Sequence, residues 1–154
     1  MKSKRSTVAG VAIAAILAAA PWARATLGGR ADTIGADRKA LSAVHRASTS
    51  RNGYTVEEIV FDSTTVREFV SPDGIVFGIA WRGYVHPDLT QLLGSYSAEY
   101  KAARQKAPRT YGRRRQRVAT DNVVVEKWGH MRDLRGRAYA PALVPSGVNI
   151  DDIK

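Results

Sequence analysis

The stretch TVREFVSPDGIVFGIAW, residues 65–81, predicts two antiparallel β-strands joined by a tight turn. Its centre, Ser-Pro-Asp-Gly at residues 71–74, has the pattern of a type I turn, with proline at the second position and glycine at the fourth. The flanking segments, 65–71 and 75–81, are rich in β-branched and aromatic residues, as is typical of strands. The chain therefore has a β-hairpin near its middle.

The second strand of this hairpin alternates large and small side chains. Because successive strand residues point to opposite faces, one face would be large and the other small. The large set is Ile75, Phe77, Ile79 and Trp81, and the small set is Val76, Gly78 and Ala80. We expect the small face to let a helix approach closely. If the large face were exposed, the protein could be a structural or assembly protein that meets a partner there.

Other segments extend this hairpin into a domain. Strand-like composition recurs at residues 54–61, 122–128 and 134–139, and helical apolar spacing occurs at residues 34–48 and 88–104. Asp88 is placed to cap the second helix, with Gln91 completing a capping box. The expected fold class is α+β, a single domain with an antiparallel sheet of about five strands and two helices packed on one face.

The N-terminus has the three parts of a Sec-type signal peptide. Lys2, Lys4 and Arg5 precede an uncharged stretch over residues 6–20, which ends at Pro21. As a helix, that stretch would measure about 22 Å, short of the ~30 Å hydrocarbon core of a bilayer. The small residues of the expected cleavage site are Ala23 and Ala25. We expect residues 1–25 to be removed and the domain, residues 26–154, to be periplasmic or secreted, with no transmembrane span.

Positive charge is concentrated in one strip. The chain has 24 Lys+Arg against 14 Asp+Glu and a formal net charge of +10. Eight basic residues and no acidic residue fall within residues 101–117. Because residues 105–121 lack hydrophobic periodicity, we expect a basic irregular loop there. The absence of cysteine excludes disulfides, thiol catalysis and cysteine-bound metals.

Several short motifs in this order resemble the domain of unknown function 2844 family, which occurs in exported Gram-negative bacterial proteins. The resemblance covers nearly the whole segment after the expected cleavage site. It implies a secreted or periplasmic protein and carries over no activity or ligand. The motifs are Ala-Thr-Leu-Gly-Gly (25–29), Gly-Tyr-Thr-Val (53–56), Arg-Glu-Phe-Val-Ser-Pro (67–72), Ala-Trp (80–81), Pro-Asp-Leu (87–89), Leu-Leu-Gly (92–94), Gly-His-Met-Arg (129–132), Gly-Arg-Ala-Tyr (136–139) and Leu-Val-Pro (143–145).

The candidate catalytic residues are His130 and Asp133, which are close together in a predicted turn. A carboxylate can orient a histidine as a general base, which would make a hydrolase-like enzyme. The alternative is a turn histidine bonded to the backbone. No metal-binding motif or phosphate-binding loop is present, and no cofactor is expected.

The basic strip offers a second hypothesis, the binding of an anionic ligand. Several cations together bind an anionic surface such as lipopolysaccharide, phospholipid headgroups or an acidic polysaccharide. An exported protein would not meet intracellular nucleic acid, so no nucleic-acid partner is expected. The alternative is a solvated loop, and the oligomeric state stays open. The leading hypothesis is a non-catalytic binding or cell-envelope-associated protein, with candidate residues Arg109, Arg113, Arg114, Arg115 and Arg117.

Overall fold

The computed structural model describes residues 26–31, 44–61, 63–108 and 114–154. The predicted signal peptide, with Ala23 and Ala25, lies outside the described residues. So do Arg109, Arg113 and residues 34–43 of the first predicted helix.

The described residues form one antiparallel sheet of seven strands. Every neighbouring pair is antiparallel, and the strand order is β1-β2-β3-β4-β7-β6-β5. The first four strands form a meander, and the last three form a second meander that joins it through β7. The strands are β1 (Val44–Arg51), β2 (Tyr54–Phe61), β3 (Thr64–Val70), β4 (Val76–Gly83), β5 (Arg115–Ala119), β6 (Val124–His130) and β7 (Asp133–Tyr139).

Between β4 and β5 the chain runs through one helical stretch of 18 residues. It consists of α1 (Leu89–Leu93), a 3₁₀ turn (Gly94–Tyr96) and α2 (Ser97–Lys106). The predicted cap is present, since the Asp88 carboxylate accepts a hydrogen bond from the Thr90 backbone N–H at 2.8 Å. Two more 3₁₀ turns, Pro141–Leu143 and Ile150–Asp152, belong to the C-terminal segment.

Both faces of the sheet are covered in its centre. On one face, helical residues such as Leu93 and Tyr100 pack with Ile79 and Trp81 in a single apolar cluster. On the other face, the C-terminal segment packs Ile153 against a smaller cluster, whose other buried members are Phe69, Phe77, Ala80, Val124 and Tyr139. The helical stretch and the C-terminal segment therefore hold the sheet between them.

A β-bulge overturns the expected alternation in β4. Phe69 pairs with Gly78, whereas Val70 pairs with Val76, so Phe77 is an extra residue in the ladder. The bulge turns Phe77 away from Ile79 and Trp81 and into the cluster under the C-terminal segment. It is this segment, not a helix, that approaches the small face, because a Cβ on Gly78 would lie 2.9 Å from Ile153 Cδ1.

The large side chains of β4 are also not available to a partner. Phe77 and Ile79 are 0% exposed and Trp81 is 3% exposed. The prediction of an assembly protein that uses this face as an exposed surface is therefore wrong.

The predicted fold class, α+β with about five strands and two helices, is wrong, because the protein is mostly β. The five predicted strands are present, but two were missed. In the first predicted helix, residues 44–48 belong to β1, which pairs with β2 through the two-residue turn Asn52-Gly53. Gly53 has φ +87°, which favours glycine in such a hairpin turn.

The predicted irregular loop, residues 105–121, is wrong in part for a related reason. It contains β5, which pairs with β6 at the edge of the sheet. Four of its five residues are exposed, so only Val118 signals a strand by its burial. An edge strand with a single buried residue gives only a weak alternation of apolar and polar residues in the sequence.

Candidate functional site

Five arginines line up on one face of the sheet, the face that also carries the C-terminal segment. Cross-strand pairing places Arg115, Trp128, Arg135 and Arg82 in one row, on β5, β6, β7 and β4. The next row on the same face contains Arg117, Glu126 and Arg137. We call the five arginines with Trp128 the arginine face: Arg82, Arg115, Arg117, Arg135, Arg137 and Trp128.

Glu126 is the buried anchor of this face. Its side chain is only 6% exposed, and its Oε2 accepts a hydrogen bond of 2.6 Å from Arg137 Nε. Its Oε1 lies 3.3 Å from Arg117 Nε and 3.5 Å from Arg115 Nη2. One carboxylate therefore sits among three guanidinium groups.

Asp133 performs the same role in the neighbouring row. Arg82 and Arg135 oppose each other directly, an arrangement that would be repulsive without a carboxylate between them. Asp133 accepts hydrogen bonds from Arg82 Nε at 2.8 Å and from Arg135 Nη2 at 2.8 Å. Hydrogen bonds from Arg135, followed by those from Arg82, lower the pKa of Asp133 to about 2.

The arginine face keeps an excess of positive charge. Besides Glu126 and Asp133, only Asp151 among the described residues contacts these arginines, at 3.4 Å from Arg137. Three carboxylates thus face five guanidinium groups. The outer arginines remain accessible to solvent, with exposed side-chain fractions of 63% for Arg82, 67% for Arg115 and 59% for Arg117. The guanidinium of Arg115 also lies over the Trp128 ring, 6.0 Å from its centroid.

The structure thus joins part of the predicted anion site with residues that the sequence did not indicate. Arg115 and Arg117 lie on the arginine face, and the exposed Arg114 directly precedes β5. Arg82, Arg135, Arg137 and Trp128 were missed as site residues. Arg82 comes from β4, far away in the chain, and the other three come from β6 and β7, outside the basic strip. The alternation of Arg135 and Arg137 along their strand was the one available signal.

His130 and Asp133 are brought together only as neighbours in the β6–β7 pairing. His130 is exposed, and its Nδ1 lies 3.3 Å from the carbonyl oxygen of Met131. The carboxylate of Asp133 is held by two arginines rather than directed at the imidazole. This geometry gives the hydrolase-like hypothesis no support.

A groove of about 440 Å³ lies on the same side of the sheet, between β1–β3 and the C-terminal segment. Within it, Arg67 Nε pairs with Glu58 at 2.9 Å, and Arg67 Nη1 donates to the carbonyl oxygen of Lys154 at 3.0 Å. Because the groove contains charges of both signs, we assign it no ligand.

The opposite face contains a partly buried polar contact beside the helical stretch. Trp81 Nε1 donates a hydrogen bond of 2.9 Å to His86 Nδ1. A ring nitrogen that accepts a hydrogen bond carries no proton, so this contact requires the neutral imidazole. Burial, together with the charge of Lys127, lowers the pKa of His86 below its usual 6.5.

A family model described as "Protein of unknown function (DUF2844)" matches residues 23–153 of the chain. The chain belongs to this family. The match includes every strand of the sheet and the helical stretch, so the arginine face lies within the family domain. No curated protein and no solved structure is significantly similar to the chain.

Two further findings describe this member of the family. Within the described ranges, no helix is both long and apolar enough to cross a membrane. In the same part of the chain, no three His, Asp or Glu side chains are grouped so that they could hold a metal ion.

His86 should make the stability of the protein depend on pH. Because its pKa in the folded state lies below the usual 6.5, the unfolded state binds more protons as the pH falls through that value. The free energy of unfolding should therefore be highest above pH 6.5 and decrease as the pH falls below it. Denaturant unfolding at pH 7.5 and pH 5.5 measures this decrease.

The control is His86→Asn, whose side-chain oxygen can still accept from Trp81 but does not titrate. We expect the decrease between the two pH values to be smaller in this variant. A pKa of His86 at or above 6.5, measured by NMR, would contradict the prediction.

Proposed function

We propose that this protein is an exported, non-enzymatic domain that binds phosphate groups on an anionic lipid surface of the cell envelope. The observation that carries the proposal is the arginine face, where five guanidinium groups outnumber the carboxylates around them. Three of these arginines have side chains more than half exposed, so an external anion could reach them.

The chemistry of the arginine face suits phosphate. Guanidinium is planar and donates several hydrogen bonds in a fixed geometry that matches phosphate oxygens. Each basic residue near an anionic bilayer contributes about 1 kcal/mol of binding free energy. Trp128 adds an indole, a side chain that favours the interface between lipid and water. A phosphate-bearing lipid surface accounts for both the arginines and the indole.

The N-terminal sequence supports export. Residues 1–25 have the basic, apolar and small-residue parts of a Sec-type signal peptide. The family match begins at residue 23, next to the predicted cleavage site after Ala25. A protein exported in this way would be periplasmic or secreted and would meet envelope lipids rather than nucleic acids.

Co-sedimentation with lipid vesicles tests the proposal. We expect residues 26–154 to bind phosphatidylglycerol vesicles, to bind phosphatidylcholine vesicles far less, and to dissociate as the salt concentration rises. Lipopolysaccharide and a soluble polyuronate form two further arms, which distinguish lipid-borne phosphate from sugar carboxylate. Preference for the polyuronate would overturn the lipid assignment.

A triple variant identifies the surface. Arg82→Gln, Arg115→Gln and Arg117→Gln together remove three exposed cations but leave the Glu126–Arg137 and Asp133–Arg135 pairs intact. We expect its affinity for phosphatidylglycerol vesicles to fall about a hundredfold, from roughly 1 kcal/mol per arginine.

The matched control removes three cations from the other side of the sheet, Lys101→Gln, Arg104→Gln and Lys127→Gln. Its affinity should change much less. Equal losses in the two triple variants would show that net charge alone determines binding, and undiminished binding of the arginine variant would discard the proposed surface.

A further inference from the structure

A small cleft of about 280 Å³ lies on the face of the sheet that carries the helical stretch. Its walls come from the start of α1, from α2 and from β6. The lining side chains that matter here are Thr90, Ser97, Tyr100, Lys101, Arg104 and Lys127. The arginine face occupies the opposite side of the sheet, so the two surfaces are separate.

Tyr100 is the unusual residue of this cleft. It is only 3% exposed, and its hydroxyl is buried without a hydrogen-bond partner. A buried hydroxyl without a partner is uncommon in folded proteins, because it loses its hydrogen bonds to water and gains none. A ligand that accepts a hydrogen bond from the Tyr100 hydroxyl would supply the missing partner.

Two cations flank the ring of the same tyrosine. Arg104 Cζ lies 5.9 Å from the ring centroid, and Lys127 Nζ lies 5.8 Å from it. They come from α2 and β6, and Lys101 adds a third cation to the wall. Long basic side chains such as these can turn their charged ends toward a bound anion.

The positive charge of the cleft is not balanced within the described residues. There, none of Lys101, Arg104 and Lys127 forms an ion pair with a carboxylate. The one carboxylate in the lining, Asp88, uses an oxygen to cap α1 through the Thr90 N–H. Three cations without acidic partners therefore line the cleft that also contains Tyr100.

We propose that this cleft binds the phosphate monoester of a small sugar or polyol. The three cations would bind the phosphate dianion, and Tyr100 would donate a hydrogen bond to one of its oxygens. The hydroxyls of Thr90 and Ser97 and the second oxygen of Asp88 are partners for sugar hydroxyl groups. The volume is close to the lower limit of small-molecule pockets, about 300 Å³, which suits a single sugar ring.

Isothermal titration calorimetry with glucose 6-phosphate tests this inference, with inorganic phosphate and glucose as the comparison ligands. We expect glucose 6-phosphate to bind more tightly than either. Equal affinity for inorganic phosphate would overturn the assignment to a sugar, and no binding at millimolar concentration would overturn the site.

Variants locate the binding. Replacing two cations, Lys101→Gln with Arg104→Gln, should weaken binding of glucose 6-phosphate about tenfold to a hundredfold. The matched control, Arg51→Gln with Arg132→Gln, removes the same charge from two exposed positions outside the cleft and the arginine face and should leave the affinity unchanged. Similar losses in both pairs would show non-specific charge attraction and overturn the site.

Tyr100→Phe distinguishes the contribution of the hydroxyl to ligand binding from its contribution to the stability of the free protein. The substitution removes only the hydroxyl, so it should weaken binding severalfold while the free protein unfolds at the same or a higher denaturant concentration. Unchanged affinity would show that the hydroxyl does not contact the ligand and would overturn its role. A loss of stability would show that the hydroxyl already has a partner in the free protein, which contradicts the basis of the proposal.

Discussion

Replacing Glu126 by alanine is expected to reduce the free energy of unfolding by roughly 3–5 kcal/mol, the range observed when one partner of a buried ion pair is removed. The Glu126 side chain is 6% exposed and that of Arg137 is 14% exposed, so neither is well solvated. Without the carboxylate, Arg137 would keep only the carbonyl oxygen of Ile150, at 2.8 Å, and the exposed Asp151. Arg115 and Arg117 would lose the same partner, and the repulsion between them would increase.

Urea unfolding of the variant measures the loss, and Glu58→Ala is the matched control. Glu58 pairs with Arg67 at 2.9 Å, but the two side chains are 24% and 46% exposed. Exposed pairs contribute roughly 0–1 kcal/mol, so the control should unfold nearly like the parent protein. Equal losses in the two variants would show that Glu126 has no special role.

A second variant, Glu126→Gln, connects this residue with the proposed function. It keeps the shape of the side chain but adds one net positive charge to the arginine face. If the variant folds, its affinity for phosphatidylglycerol vesicles should rise about fivefold, as expected for one further unit of charge near the lipid surface. Weaker binding by a folded Glu126→Gln would mean that the carboxylate itself, not the surplus charge, contributes to binding.

The strands with mixed faces could be predicted from the sequence, whereas the edge strands could not. Residues 134–139 alternate because one side of the strand, with Gly136 and Ala138, is buried, and residues 54–60 are half-buried throughout. β1 ends in Ser-Thr-Ser-Arg, and its residues 47–51 are exposed. Its upstream alanines suggested a helix, and only the Asn52-Gly53 turn indicated that a strand could precede β2. Pairing with β2 then decided the conformation of residues 44–51.

The arginine face was not predicted because strand pairing creates it, locally between β5, β6 and β7 and over a long range between β4 and β7. Arg82 and Arg135 are 53 positions apart in the sequence and become neighbours only because β4 pairs with β7. The basic strip suggested that consecutive arginines bind together, but consecutive strand residues point to opposite faces of the sheet. Arg115 and Arg117 share a face with each other and not with Gln116. The number of cations in the strip was thus visible, while Glu126, the partner of Arg115 and Arg117, was not.

Gly136→Ala is expected to reduce the free energy of unfolding by about 3 kcal/mol, at the upper end of the usual effect of overpacking a core. A Cβ at this position would overlap Trp81 Cζ2, lie 2.5 Å from Trp81 Cε2 and lie 2.7 Å from the Glu126 carbonyl oxygen. The backbone oxygen belongs to a paired strand and cannot move far, so the indole must shift. The shift would break the hydrogen bond from Trp81 Nε1 to His86 and disturb the packing beneath the helical stretch.

Urea unfolding gives the loss of stability, and NMR of the Trp81 indole N–H reports on the broken hydrogen bond. Gly147→Ala serves as the control, because a Cβ there meets no atom within 4 Å, although Gly147 has φ +85°. Its expected loss is only the roughly 1–2 kcal/mol of a left-handed backbone conformation. If the Gly136 variant lost no more than this control and kept the indole signal of the parent protein, the indole would not lie against the backbone of β7.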